Sequence, residues 1–247
     1  MKIFFDYRIF LHQASGGISR YIINLSKIFN EKKLENEIIA PIHINKMLKD
    51  YYSNHKKKIG FFINRKPLFS SKILNFVNNF STQFYINKMR PDVYHQTYYG
   101  NFPKLNKVTK VVTVHDLIHE KFHEYYGMPA NYRPKKKSLE QADKIICVSK
   151  NTKEDLLNFY KLDEKKIKVI NHGHEHILNL TKKRNLNKKN EILYVGGRGK
   201  YKNFKNFIQA FILNQKLKNE FKIVCFGGGI FNKNEINFFK KNNILKK

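Results

Sequence analysis

Short apolar runs alternate with helix-length amphipathic stretches along almost the whole chain, and this alternation constrains the fold more than any other feature. Units of that kind bury their strands in a parallel sheet and pack their helices against it. Strands are expected at Lys2–Phe5, Glu37–Ala40, Asp92–His95, Lys110–Val114, Lys144–Val148 and Lys168–Ile170. Helices are expected from about Ile18 to Phe29, Pro129 to Gln141 and Thr152 to Phe159, with two more inside the basic, aromatic stretch Asn45–Met89 around a loop at Pro67. Ser149 and Thr152 are N-cap candidates, because a hydroxyl there can accept from the free amides of a first turn, and Asp155 adds a negative charge to that turn.

The pattern lapses across His174–Asn190, which is polar, lysine-rich and without period, and reads as a linker. It then restarts with strand Ile192–Val195, a glycine loop, helix Asn203–Leu217, strand Lys222–Phe226, a second glycine loop and helix Lys233–Lys241. The expected organisation is an α/β chain: a doubly wound, Rossmann-like lobe over 1–173, a linker over 174–190 and a partial second lobe over 191–247. The second lobe has two strands where a complete doubly wound sheet has about five or six, which predicts an uncovered edge and apolar face.

The 247 residues, 41% apolar and 27% charged, suit a globular core. No run reaches the roughly 18–20 apolar residues of a membrane span, and the opening MKIFFDYRIF is too short an apolar run for a signal peptide. A cytoplasmic protein is expected, with Cys147 and Cys225 as buried reduced thiols inside apolar strands. The net charge of +29 would attract nucleic acid, anionic lipid or phosphorylated ligands. Lys, Asn, Ile, Phe and Tyr also share A/T-rich codons, so genome composition and a used basic surface are both open explanations. No recognition helix, RNA-binding sheet or zinc finger accompanies the charge, and no specific nucleic-acid partner is expected.

Four stretches carry candidate chemistry. Ser15-Gly16-Gly17-Ile18-Ser19-Arg20-Tyr21 follows the first strand and opens a helix, where glycine lets a ligand approach the backbone. Val112-Thr113-Val114-His115-Asp116 ends a strand at the edge where open α/β sheets bind ligands, so a neutral His115 would meet a substrate hydroxyl and Asp116 would orient the loop. A strand-end histidine satisfied by backbone is the competing reading. His115, His119 and His123 recur every four residues but lack the glutamate of a zinc-protease helix, and no metal site is expected. In Asp92–Tyr99 a strand runs into His95, Tyr98 and Tyr99, rings suited to a sugar face or to core packing. Finally, Tyr194-Val195-Gly196-Gly197-Arg198-Gly199-Lys200-Tyr201-Lys202-Asn203 sets Arg198 and Lys202 on a strand-to-helix turn where phosphate oxygens would sit, and Gly227-Gly228-Gly229 repeats the turn after the next strand.

Taken in order, GGISRY, DVYHQTYY, VVTVHDLIHEKF, ADKIICVSKNTKEDL, KVINHG and LYVGGRGKYKNF resemble glycosyltransferase family 4, with the two-lobed fold called GT-B. The resemblance implies retaining, metal-independent transfer from a nucleoside-diphosphate sugar, GDP-mannose-like, to a lipid-linked or polysaccharide acceptor in bacterial surface glycan synthesis. It needs no cofactor beyond that donor. By the same resemblance His115 and Asp116 are catalytic candidates, and Gly16, Gly17, Arg198, Lys202, Asn203 and Gly228 bind the donor. Arg20, His95, Tyr98 and Tyr99 face the acceptor, and Asn171-His172-Gly173 is the hinge, so that His172, His174 and His176 belong to crossover and linker. Family members carry a later pair of glutamates with seven residues between them, whereas Glu235 is the only acid after Gly229. That departure implies a truncated frame or split half with a separately encoded second-lobe partner; the alternative is an inactive remnant serving as an acceptor- or partner-binding module. The basic stretch Lys46–Met89 further suggests peripheral attachment to an anionic membrane on the cytoplasmic face, against a plain solvated helical surface.

Overall fold

The computed structural model describes residues 1–53, 59–126, 133–173 and 189–245, which form two compact units, Met1–Gly173 and the described part of His174–Lys247. The first unit begins with β1 (Lys2–Phe5), the short helix α1 (Arg8–His12), α2 (Gly17–Glu31) and β2 (Glu35–Ile38). β3 (Ile42–His43), α3 (Lys46–Ser53), β4 (Phe61–Phe62) and α4 (Ser71–Met89) follow. The unit continues through β5 (Val93–Gln96), β6 (Thr109–Val114), α5 (Ile118–Lys121), α6 (His123–Tyr126), α7 (Arg133–Gln141), β7 (Lys144–Cys147), α8 (Lys150–Phe159) and β8 (Ile167–Val169). The main sheet is parallel throughout, in the order β2-β1-β5-β6-β7-β8, and β3 pairs with β4 apart from it.

Alternation along β1 explains the double winding. Ile3 and Phe5 pack on one face with Ile22 and Ile23 of α2, while Phe4 packs on the other with Ile86 of α4 and Tyr94. A second core joins Val112 and Val114 of β6 to Ile145 of β7, Leu139 of α7 and Leu156 of α8. Ser149 caps α8, its hydroxyl accepting from the Thr152 amide at 3.1 Å. Cys147 is buried and free, and burial pushes its thiol up to about 11.

The expected strands are present, most with ends moved by a residue or two. α1 and the β3–β4 pair were not anticipated, because elements of five and two residues are too short to show a period. The proposed helix start at Pro129 and the linker through residue 188 lie outside the described residues.

The second unit holds β9 (Glu191–Val195), α9 (Phe204–Leu213), α10 (Gln215–Glu220), β10 (Lys222–Phe226) and α11 (Lys233–Lys241), with β9 and β10 parallel. The single helix expected over Asn203–Leu217 is two, because the Asn214 side chain leaves the helix and caps α10, accepting from the Leu217 amide at 3.0 Å. Tyr194, Ile223 and Cys225 face Phe204, Ile208 and Phe239, whereas Leu193, Val195 and Phe226 on the other sheet face are exposed.

Candidate active site

Because all six strands of the main sheet run the same way, the segments that follow them gather along one edge. The strand order reverses at β1 and β5, where an open α/β sheet has its ligand crevice. Asp6, the residue after β1, is fully buried there. Its carboxylate pairs with the Arg8 guanidinium and accepts from the Thr97 amide at 3.0 Å, the Thr97 hydroxyl at 2.5 Å and the Tyr94 hydroxyl at 3.2 Å. Arg8 also donates to the Asn101 carbonyl. A buried charge is tolerated only when it is paired and bonded in this way, and the network locks the segment after β1 to the one after β5.

Beside the network opens a cavity of about 470 Å³, lined among others by Arg8, His12, Asn75, Asn79, Gln83, Tyr98 and Tyr99. Tyr7, also in its wall, directs its hydroxyl to Asn75 Oδ1 at 3.2 Å and Asn79 Oδ1 at 3.0 Å. Tyr98 lies between Tyr99 and His12, with ring centroids 5.1 and 5.5 Å away. Amides that both donate and accept, set among aromatic rings, match the alternating hydroxyls and C–H faces of a saccharide.

Further along the edge, His115 follows β6 and His172 follows β8. Their rings stack at 5.4 Å with His115 Nδ1 3.3 Å from His172 Nε2, and Tyr21 of α2 stands edge-on to both, at 5.3 and 4.7 Å. Burial, with the neighbouring His172, pushes His115 down to about 4, and burial lowers His172 as well. Both rings are therefore neutral at pH 7, and the ring that holds the shared proton determines whether His115 Nε2 donates or accepts. Behind them, on β6, the Thr113 hydroxyl lies 2.9 Å from Nε2 of His95. His95 is buried within the sheet against Phe5, and burial pushes it down to about 4. It supports the edge from behind and does not line the cavity.

Asp116 steadies the same segment: its carboxylate accepts from the Ile118 amide at 3.2 Å, and its carbonyl accepts from Lys135 Nζ at 3.2 Å. Lys135 and Glu120 are a fully buried ion pair at 2.8 Å, and Glu120 also accepts from the Tyr160 hydroxyl at 2.7 Å. Lys135 lies over the Tyr99 ring as well, at 4.9 Å, so one ammonium joins α5, α7 and the segments after β5 and β6. His119 and His123, in register with His115 by sequence, turn to other neighbours, Tyr126 and the Glu120 carbonyl. Gly16 and Gly17 open α2, and Arg20, one turn in, is exposed.

In the second unit the glycine loops are real, and they fit together. Gly196, Gly227, Gly228 and Gly229 all have positive φ, and a Cβ on Gly228 would lie 2.7 Å from the Gly196 carbonyl oxygen. Arg198, expected to face phosphate, instead clasps these loops. Nε and Nη2 meet the Glu235 carboxylate at 2.9 and 3.4 Å, Nη1 meets the carbonyls of Gly227 and Gly229 at 3.2 and 3.1 Å, and Nη2 meets that of Ile230 at 3.0 Å. All five of its N–H groups face protein acceptors, because Glu235, held by the Asn232 capping box of α11, stands where an anionic ligand's charge would be. Lys202 is exposed with its ammonium over the Tyr201 ring, and Asn203 takes the left-handed conformation at the start of α9.

Site residues that sequence reasoning had not singled out are Asp6, Arg8, Thr97, Tyr21 and the Glu120–Lys135 pair. The one available signal was the charged Asp6 and Arg8 directly after an apolar strand. His172, expected only as hinge, is half of the histidine pair.

A doubly wound parallel unit with a switch-point cavity, followed by a strand–glycine–helix unit, defines the GT-B class. The sequence model of Glycosyltransferase Family 4 matches residues 15–176, about two-thirds of the chain. The chain belongs to Glycosyltransferase Family 4. Among solved structures it is similar to a glycosyltransferase from Rickettsia africae, with 20% identity, 96% of this chain and 70% of that chain covered, and a TM-score of 0.51. S. aureus TarM, in a complex with fondaparinux, alpha-GlcNAc-glycerol and UDP, matches at 12% identity over 98% of this chain and 75% of that one, with a TM-score of 0.62. A UDP-N-acetylglucosamine 2-epimerase matches at 14% identity over 98% and 64%, with a TM-score of 0.53. These likenesses establish the fold, which serves more than one chemistry; the family match is what makes the chain a transferase. No curated protein matches it significantly.

Proposed function

We propose that the chain transfers a sugar from a nucleoside-diphosphate sugar to a glycan or lipid-linked acceptor of a bacterial surface polysaccharide. The observation that carries this reading is the switch-point cavity, whose amides and tyrosines suit an acceptor saccharide. The neutral His115–His172 pair on the same strand edge suits a sugar hydroxyl. In the transfer the bond between the anomeric carbon and the diphosphate breaks, and the acceptor oxygen bonds that carbon and loses its proton. We take the outcome as retention and assign no metal to it, as the family resemblance implies. Lys202, with Arg198 once it leaves Glu235, would neutralise the departing diphosphate.

A thermal-shift titration with UDP- and GDP-sugars, followed by a transfer assay, tests this. Saturable stabilisation by one donor, with transfer lost in H115A and in a Tyr98/Tyr99 double alanine variant, is the expected result. Arg198 bound to Glu235, and the exposed outer face of β9 and β10, favour a second reading in which the chain binds acceptor or a companion fragment without catalysis. Stabilisation by acceptor saccharides but by no donor would select it.

A further inference from the structure

β6 and β8 flank β7 without pairing with each other, yet the segments that follow them bring His115 and His172 together. His115 is half-buried and His172 exposed, so the pair is open to small solutes. The nitrogens that meet, Nδ1 of His115 and Nε2 of His172, are 3.3 Å apart. That spacing is long for atoms sharing a proton, for which about 2.7–3.2 Å is usual. It fits the edge of a zinc tetrahedron: two imidazole nitrogens, each about 2.0–2.1 Å from the ion, lie about 3.3–3.4 Å apart. Tyr21 stands edge-on to both rings, at 5.3 and 4.7 Å, and holds them in place, so capture of an ion needs little reorganisation.

The donor atoms name the class of ion. Imidazole suits zinc, copper and nickel, whereas magnesium and calcium require oxygen ligands. The neighbouring carboxylate, Asp116, accepts from the Ile118 amide at 3.2 Å. It lends a negative charge beside His115 on a chain whose net charge of +29 otherwise repels cations. Among the described residues no third His, Cys, Asp or Glu completes a cluster, which leaves the other coordination positions to water.

We propose that His115 and His172 form a two-histidine site for a divalent transition ion of the zinc class, bound between Nδ1 of His115 and Nε2 of His172. Both nitrogens then face the ion without a proton, so each neutral ring keeps its single proton on the far nitrogen. Nε2 of His115 can in that state only donate. The ion also fastens the segment after β8 to the one after β6. On the reading of His115 as partner to a sugar hydroxyl, zinc slows transfer; the metal site itself stands without that reading.

Zinc chloride titrated into the full chain, with a chromophoric chelator as competitor, reads the binding without any turnover. Expected are saturable binding of zinc and none of magnesium chloride at the same concentration. His115→Gln and His172→Gln should each weaken zinc binding roughly ten-fold or more. His172 is exposed, so its replacement leaves the fold intact and decides the matter should His115→Gln fail to fold. His174 and His176 lie just beyond in the sequence, and a His174→Gln, His176→Gln variant should keep the affinity of the wild type. The proposal is overturned if the wild type binds no zinc or if His172→Gln leaves the affinity unchanged. It is equally overturned if the affinity is lost with His174 and His176, which would make the linker the ligand. Absence of sugar transfer would count against the transfer reading and not against the metal site, since no substrate enters the titration.

Discussion

Arg198 fills five donors with five acceptors, so it can bind a phosphate only by giving up some of them. Glu235 is the competitor carrying charge. Replacing it by glutamine keeps a helix-capping side chain but removes the charge, and is expected to tighten UDP binding roughly three- to ten-fold by calorimetry. Unchanged affinity would mean that the diphosphate does not use Arg198. A second prediction concerns pH. Burial pushes His43, His95 and His115 down to about 4 from 6.5, so the unfolded chain takes up protons that the folded chain refuses. Stability should be level above about pH 6.5 and fall as the pH is lowered towards 4, by at most on the order of 3 kcal/mol per histidine. Melting temperature against pH reads this out, and H115N should flatten the slope inside that window. Glu120→Gln strips the charge from the bracket that carries Asp116 and leaves Lys135 buried without a counter-ion, at a cost of about 3–5 kcal/mol in urea unfolding.

Elements differ in how openly the chain declares them. The glycine loops after β9 and β10 were legible because only residues that accept positive φ fit there, and glycine does so freely. Gly228→Ala is accordingly expected to destabilise the second unit by more than about 1 kcal/mol, since the new methyl meets the Gly196 carbonyl, and the loss should show in thermal unfolding. The strands β6 and β7 were legible, though not their exact ends, because each carries a short β-branched run, Val111-Val112-Thr113-Val114 and Ile145-Ile146, that the sheet covers at Val112, Val114 and Ile145. The Asp6 network was not, because Asp6 and Thr97 are distant in sequence and the order β2-β1-β5 that joins them is a property of the sheet. Nor was the orientation of α4, which divides its apolar residues: Leu74, Tyr85, Ile86 and Met89 pack on the core beside the buried Asn78, while Ile73, Phe76, Phe80 and Phe84 are exposed. The role of Arg198 depended on Glu235, which had drawn notice only as the last acid in the chain.

For the molecule as a whole, the first unit carries its own double-sided core, and a fragment ending at Gly173 should unfold as one cooperative transition by circular dichroism. The second unit leaves Leu193, Val195 and Phe226 exposed on a two-stranded sheet, so a Leu193→Lys, Phe226→Lys variant should stay monodisperse at higher concentration in light scattering. The contact of Tyr21 with both histidines also carries a consequence for birth of the protein on the ribosome. Tyr21 is made early and His172 near the end of the first unit, so during translation that ring waits beside an unfinished partner set. The histidine pair forms only when β8 has emerged and docked, which makes it a seal on a completed unit: a nascent chain halted short of it would own the pocket's first wall and one imidazole without its mate.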